Sequence, residues 1–295
     1  MQFGRLLTAM VTPFDQSGNI DYVKTEKLIY HLLSNGTDGL VITGTTGESP
    51  TLSKEEKLSF IQFVVKHVNK RVPVIAGTGS NNTRESIALT KQAETIGVDG
   101  VMLVTPYYNK PSQEGMYQHF LAIANATKLP VMLYNIPGRS VVGLTTETVI
   151  RLSEIENITS IKEASGDLET MTTIIRETPD SFVLYSGDDG LTLPVLAIGG
   201  YGIVSVSSHI IGNEMKAMIA HHTNGETQQA AEMHQNILPI MKALFIAPNP
   251  TAVKEALTMI GVTVGSVRLP LIPLNQEERH QLEHALYFMK KANVG

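Results

Sequence analysis

The chain contains no cysteine and no tryptophan. The first absence excludes disulfides, thiolate metal sites and cysteine nucleophiles together, and makes a reducing cytoplasm the simplest home; the second carries no function. Charge is sparse as well: 17% of the 295 residues are charged and the net charge is −5. That balance argues against a nucleic-acid or anionic-membrane partner, because phosphate binding needs clustered Lys and Arg. No stretch approaches the run of about 18 apolar residues that would cross a bilayer. The start, Met1-Gln2-Phe3-Gly4-Arg5, has no basic region leading into a long apolar segment, so no secretory signal is expected.

What is present is apolar side chains, 42% of the residues, in a chain long enough to bury roughly three quarters of its unfolded surface. An internal echo organises these side chains. Gly36-Thr37-Asp38-Gly39-Leu40-Val41-Ile42 returns as Gly97-Val98-Asp99-Gly100-Val101-Met102-Leu103, and Val72-Pro73-Val74-Ile75 as Leu129-Pro130-Val131-Met132. Short, continuous apolar runs mark strands buried on both faces, with proline tolerated at the strand entrance. Strands are expected near 6–11, 38–43, 72–76, 100–104, 130–135, 158–163, 182–186 and 202–206. Helices are expected near 21–35, 54–68, 83–96, 113–126, 146–154, 168–177, 189–198 and 212–222, two of them opened by Ser53-Lys54-Glu55-Glu56 and Asn82-Thr83-Arg84-Glu85 at capping-box spacing. Eight alternations with short loops predict an α/β fold, a closed (β/α)8 TIM barrel, over 1–224. Beyond it, helices near 226–244, 250–260 and 276–292 make 225–295 a C-terminal three-helix appendage.

Active sites of such barrels lie at the C-terminal ends of the strands. The polar residues falling there are Gly44-Thr45-Thr46-Gly47-Glu48-Ser49, Pro106-Tyr107-Tyr108-Asn109, Tyr134-Asn135-Ile136-Pro137-Gly138-Arg139, Lys162-Glu163 and Ser186-Gly187-Asp188-Asp189. Lys162 ends the apolar strand Ile158-Thr159-Ser160-Ile161, on the same side as Ser160. A lysine inside a barrel is costly unless paired or neutral. For an ordinary lysine, deprotonation at pH 7 costs roughly 4–5 kcal/mol, and a dry barrel mouth lowers that cost and leaves a nucleophilic amine. An ion pair with a nearby carboxylate explains the same position equally well.

Tyr134 could shuttle a proton, with Thr45 and Tyr108 as hydroxyl partners, or be a wet rim tyrosine. The Gly44-Thr45-Thr46-Gly47 turn could hold a carboxylate on its amides, although most glycine-rich turns are only turns. Arg139 could grip a second carboxylate in bidentate fashion or be a solvated rim arginine. Metal readings are weak. His280 and His284 lack a third ligand, His221-His222 looks solvated, and Asp188-Asp189 suits a helix N-terminus as well as a cation.

Taken in order, GTTGES at 44–49, VTPYYNKP at 104–111, YNIPGR at 134–139, IKEASGD at 161–167, SGDD at 186–189 and GGYGIVSV at 199–206 resemble the dihydrodipicolinate synthase and N-acetylneuraminate lyase family of class I aldolases. The resemblance spans essentially the whole chain and implies roles. Lys162 looks like the lysine that forms an imine with pyruvate, and Tyr134 like the proton donor and acceptor, with Thr45 and Tyr108 as its relay. Tyr108 would act in the neighbouring subunit's site, so a dimer, and in most of the synthase branch a homotetramer as a dimer of dimers, is implied. Thr46 matches the residue holding the pyruvate carboxylate, Val204 one whose backbone faces pyruvate, and Gly187 joins them as a substrate-site residue. The paired threonines, the tyrosine pair and Arg139 look like the branch that condenses pyruvate with L-aspartate 4-semialdehyde, Arg139 binding the carboxylate of the latter. No cofactor or metal is implied.

The nearest alternative is a pyruvate lyase or aldolase acting on a sugar acid. A cofactor-dependent barrel reductase lacks its Gly-x-Gly-x-x-Gly fingerprint after a strand, and a non-catalytic binding barrel would have no use for a reactive lysine. The resemblance also implies a lysine effector site near Ser49, Asn81, Glu85 and Tyr107. Pro50, Lys54 and Lys57 depart from the inhibited pattern there, and weak feedback inhibition is expected.

Overall fold

The computed structural model describes residues 3–292. Eight parallel strands close into one barrel in chain order. They are β1 Leu6–Ala9, β2 Gly39–Ile42, β3 Val74–Gly77, β4 Gly100–Val104, β5 Val131–Asn135, β6 Ile158–Glu163, β7 Val183–Ser186 and β8 Gly202–Ser205. Around them run α1 Tyr22–Ser34, α2 Lys54–Val68, α3 Thr83–Ile96, α4 Gln113–Ala124, α5 Pro137–Ser140, α6 Thr146–Ser153, α7 Leu168–Glu177, α8 Thr192–Ala197 and α9 Ser208–Thr223. Three more helices follow: α10 Thr227–Ala243, α11 Thr251–Met259 and α12 Gln276–Ala292.

The strands read as unbroken apolar runs because both of their faces are covered. Leu7, Val41, Ile75, Met102, Met132, Tyr185 and Val204 fill the barrel itself. Leu6, Leu40, Leu103, Leu133 and Ile161 point the other way and pack against helix residues such as Leu28, Phe60 and Phe120. The Asp-Gly echo has a physical cause at the same entrances. Asp38 accepts from the amides of Arg5 and Leu6 at 3.1 and 3.0 Å, and Asp99 from that of Val74 at 2.9 Å, so each carboxylate caps its neighbouring strand. The glycine that follows leaves room for the barrel floor: a Cβ on Gly39 would lie 2.8 Å from Leu7 and one on Gly100 2.5 Å from the Phe3 ring.

Ser53 and Glu56 form the reciprocal capping box at the start of α2, and Asn82 accepts from the Arg84 and Glu85 amides at that of α3. Three elements differ from expectation. α5 is a one-turn helix where Pro137-Gly138 reads as a loop. A 3-10 turn at Asp189–Leu191 shortens α8. α9 starts at Ser208 rather than near 212, with a non-helical Ile211 (φ −120°, ψ 36°) inside it. The buried Asp189 carboxylate accepts from the Val206 and Ser207 amides just ahead of that turn, both at 3.1 Å, a partner that a local reading does not reveal.

The last helices pack on the barrel's final helix and on one another. α10 packs on α9 and α12, and α11 on the same two. Ile237, Ile240, Leu257 and Leu282 belong to the same apolar cluster as the barrel's outer face.

Candidate active site

Lys162 lies at the inner face of β6, in register with Tyr134 on β5 and Tyr185 on β7. It is 6% exposed, and its Nζ stands 4.2 Å from the centroid of the Tyr134 ring. Among the described residues it has no ion pair and no hydrogen bond. Its neighbour Glu163 faces the other side of the strand, accepting from Asn135 Nδ2 and the Ser165 amide, each at 2.8 Å. Burial pushes the Glu163 carboxyl above the usual carboxylate range. A lysine–carboxylate pair is therefore not what occupies the barrel mouth. The buried amine faces an aromatic ring, which offsets part of its desolvation while charged.

Tyr134 is buried and forms part of the wall of a cavity of about 280 Å³, together with Thr45, Met102, Val104, Tyr107 and Arg139. Its carbonyl accepts from both the amide and the hydroxyl of Thr105 at 2.9 Å, which fixes the end of β5. Thr45 and Tyr134 are thus brought to one wall, yet among the described residues no hydrogen bond joins their hydroxyls. Tyr108 is not on that wall: it is 87% exposed, with a left-handed backbone at φ 71°.

The turn after β2 is bracketed by two non-glycine residues in the left-handed region, Thr43 (φ 53°) and Glu48 (φ 54°). Such residues cost about 1–2 kcal/mol each and persist where their surroundings over-determine them. Between them, the amides of Thr45, Thr46 and Gly47 find no acceptor among the described residues, the condition for an anion nest. The carbonyl of Gly47 accepts from Thr12 Oγ1 at 2.7 Å. The Thr46 hydroxyl accepts from Asn249 Nδ2 at 2.9 Å and is directed to the C-terminal segment. Glu48, buried, pairs with Lys254 of α11 and accepts from the Arg268 amide at 2.8 Å. Asn249, Lys254 and Arg268 escape a reading of the sequence. They stand more than 200 residues from the turn, and Pro248-Asn249-Pro250 reads only as a connection.

Arg139, carried by α5, lies between the cavity and a larger cleft of about 910 Å³ that also holds Gly187, Asp188, Lys242 and Phe245. Gly187 is pressed against the lysine. Its amide donates to the Glu163 carbonyl at 2.7 Å, and a Cβ there would stand 2.6 Å from Ala164 Cβ and 3.1 Å from Lys162 Cε. Val204, buried on β8, packs in the same barrel cluster as Tyr134. Asp188 and Asp189 are engaged by main-chain amides, Asp188 by Gly190 and Asp189 at the start of α9. Among the described residues no cluster of three or more His, Asp or Glu forms, and His284 lies against Phe288.

Fold and site together define a (β/α)8-barrel enzyme whose polar groups converge at the strand C-termini around a buried amine. The sequence pattern of the Dihydrodipicolinate synthetase family matches residues 2–288, and the chain belongs to that family. It is 65% identical over 286 residues to a 4-hydroxy-tetrahydrodipicolinate synthase of Bacillus velezensis, covering 97% of this chain and 99% of that one. It superimposes on the crystal structure of a dihydrodipicolinate synthase from Bacillus anthracis with a TM-score of 0.96, at 62% identity over 97% and 98% of the two chains. A dihydrodipicolinate synthase from Cyanidioschyzon merolae, solved with lysine bound, gives a TM-score of 0.96 at 46% identity over 98% of each chain.

Proposed function

We propose that the chain condenses pyruvate with L-aspartate 4-semialdehyde to 4-hydroxy-tetrahydrodipicolinate, a step of lysine and diaminopimelate biosynthesis, through an imine on Lys162. The observation that carries this reading is the Lys162 amine itself, buried against the Tyr134 ring with no counter-charge among the described residues. Full-length identity to enzymes named for this reaction supports the choice of substrates.

In this mechanism Lys162 Nζ attacks the pyruvate carbonyl carbon and water leaves, forming the imine. Loss of a methyl proton gives an enamine, whose carbon attacks the aldehyde of the second substrate. The amine of that substrate then displaces Lys162 from the imine carbon, closing the ring and freeing the enzyme. Tyr134 moves the protons at these steps, Thr45 orients its hydroxyl, and Tyr108 completes the relay. The free amides around Thr46 hold the pyruvate carboxylate, with the Val204 backbone facing pyruvate and Gly187 leaving space beside the amine. Arg139, on the side of the larger cleft, takes the carboxylate of the semialdehyde.

An exposed Tyr108 at a strained φ suits a side chain that serves another copy, so the reading includes a homodimer and, from it, a dimer of dimers. It also takes 1–224 as the catalytic barrel and 225–295 as a helical domain, working in the cytoplasm of its cell. Incubation with pyruvate and either L-aspartate 4-semialdehyde or sugar-derived aldehydes tests the assignment. Cyclic product from the semialdehyde alone is expected, and turnover only with sugar aldehydes refutes it.

A further inference from the structure

The buried pair Glu48–Lys254 is a charged group for which the reaction has no use. We propose that Glu48 and Lys254 are positioning residues for the anion nest, so that the C-terminal helices set the site's affinity for the keto acid. This rests on the reading that the Thr45–Gly47 amides hold the pyruvate carboxylate.

Both side chains are sealed from solvent, at 1% exposure for Glu48 and 2% for Lys254. One Glu48 oxygen meets Lys254 Nζ at 2.5 Å and the other accepts from the Arg268 amide at 2.8 Å. Lys254 Nζ also donates to the Ser266 carbonyl at 2.9 Å and stands 4.2 Å from the Phe14 ring centroid. With Asn249 on Thr46, three residues from the C-terminal part converge on one short turn. From β1's side, Thr12 Oγ1 donates to the Gly47 carbonyl of that turn.

The plain alternative is that the pair only stabilises the fold. Buried ion pairs give little net stability compared with well-packed apolar side chains. Here burial pushes the Lys254 amine down to about 8 in spite of the Glu48 charge. Apolar residues could join α11 to the barrel equally well. They could not hold the carboxylate of a left-handed residue beside free amides, which needs a cation on one oxygen and the Arg268 amide on the other.

The test is the pyruvate concentration that half-saturates borohydride trapping at Lys162, in the full chain and in Lys254→Met. The proposal expects Lys162 to be labelled in both at saturation. It also expects half-saturation to rise at least tenfold in the variant, about 1.4 kcal/mol of affinity, with the KM for the aldehyde unchanged. A folded variant with half-saturation within twofold of the parent overturns it, since a purely structural pair would move the melting temperature and not this value. If Lys254→Met does not fold, the double variant Glu48→Gln/Lys254→Met, which leaves no buried charge, serves instead, and an unchanged half-saturation there overturns the proposal equally. Absence of labelling in the parent would strike the imine reading, a distinct failure.

Discussion

Lys162 and Tyr134 sit opposite each other on paired strands, with the amine 4.2 Å from the centre of the phenol ring and both residues buried. The contact makes Tyr134→Phe a clean experiment, because phenylalanine keeps the ring over the amine and removes only the hydroxyl. Turnover should fall by roughly 10²–10⁴-fold, the usual range for lost acid–base help, with the fold intact. Steady-state kinetics beside a circular dichroism spectrum measure it; near-parental turnover would reduce Tyr134 to a packing residue.

Lysine inhibition should be weak, and the structure narrows the reason. Lys57 is on the wall of the cavity with Ser49, Pro50 and Tyr107, where burial lowers its amine's pKa and Glu85 raises it. Lys54 is exposed at the start of α2, so the expectation that both lysines matter falls to Lys57. An incoming lysine brings two ammonium groups and one carboxylate, a net positive charge, to a wall that already carries the Lys57 amine. A like-charge contact near 4 Å costs about 1 kcal/mol in water and about 4 kcal/mol when partly buried, and each 1.4 kcal/mol is tenfold in affinity. Initial rates at saturating pyruvate should change less than twofold in millimolar L-lysine; strong inhibition would show that Lys57 does not govern this cavity.

Stability should fall on mild acidification because of His209. The ring is wholly buried, its Nδ1 donating to the Val206 carbonyl at 2.8 Å and its Nε2 accepting from the Val11 amide at 3.2 Å, so both nitrogens are used in the neutral form. Burial pushes its pKa down to about 4, against about 6.5 in an unfolded chain. Between these values the unfolded state binds the extra proton. The contribution is therefore fully present above about pH 6.5 and is lost as pH falls towards 4, up to roughly 3 kcal/mol. His119, also lowered to about 4, acts in the same direction. Urea midpoints between pH 7 and 4.5 should decline, and less steeply in His209→Gln; equal slopes would contradict this account.

Much of the architecture was legible because it is local. The observed strand limits lie within two residues of those expected, since a short continuous apolar run announces a doubly covered strand. The Lys162–Tyr134 pair was legible for the same reason: both end such runs, and adjacent strands of a barrel bring their ends together. What was not legible depends on long-range partners. Asp189 looks like a helix cap or a cation ligand until the link between β8 and α9 supplies the Val206 and Ser207 amides. The turn at 44–48 reads as glycine-rich, whereas its left-handed ends are at Thr43 and Glu48, and Glu48 is tied to Lys254 and Arg268. Tyr108 and Thr45 show the remaining limit. Tyr108 is exposed and off the cavity wall, and among the described residues no hydrogen bond joins Thr45 to Tyr134, so the proposed relay would need a second copy.

The central claim is that Lys162 is the nucleophile, and the molecule contains its own control. Lys254 is equally buried and has an amine lowered to about 8 by burial, but it is occupied by Glu48 and the Ser266 carbonyl. Treating the protein with pyruvate and borohydride and mapping the peptides by mass distinguishes the two. The account predicts one modified lysine, Lys162, and loss of activity in proportion to its labelling. Modification at Lys254 or elsewhere, or full activity after stoichiometric labelling, would contradict it.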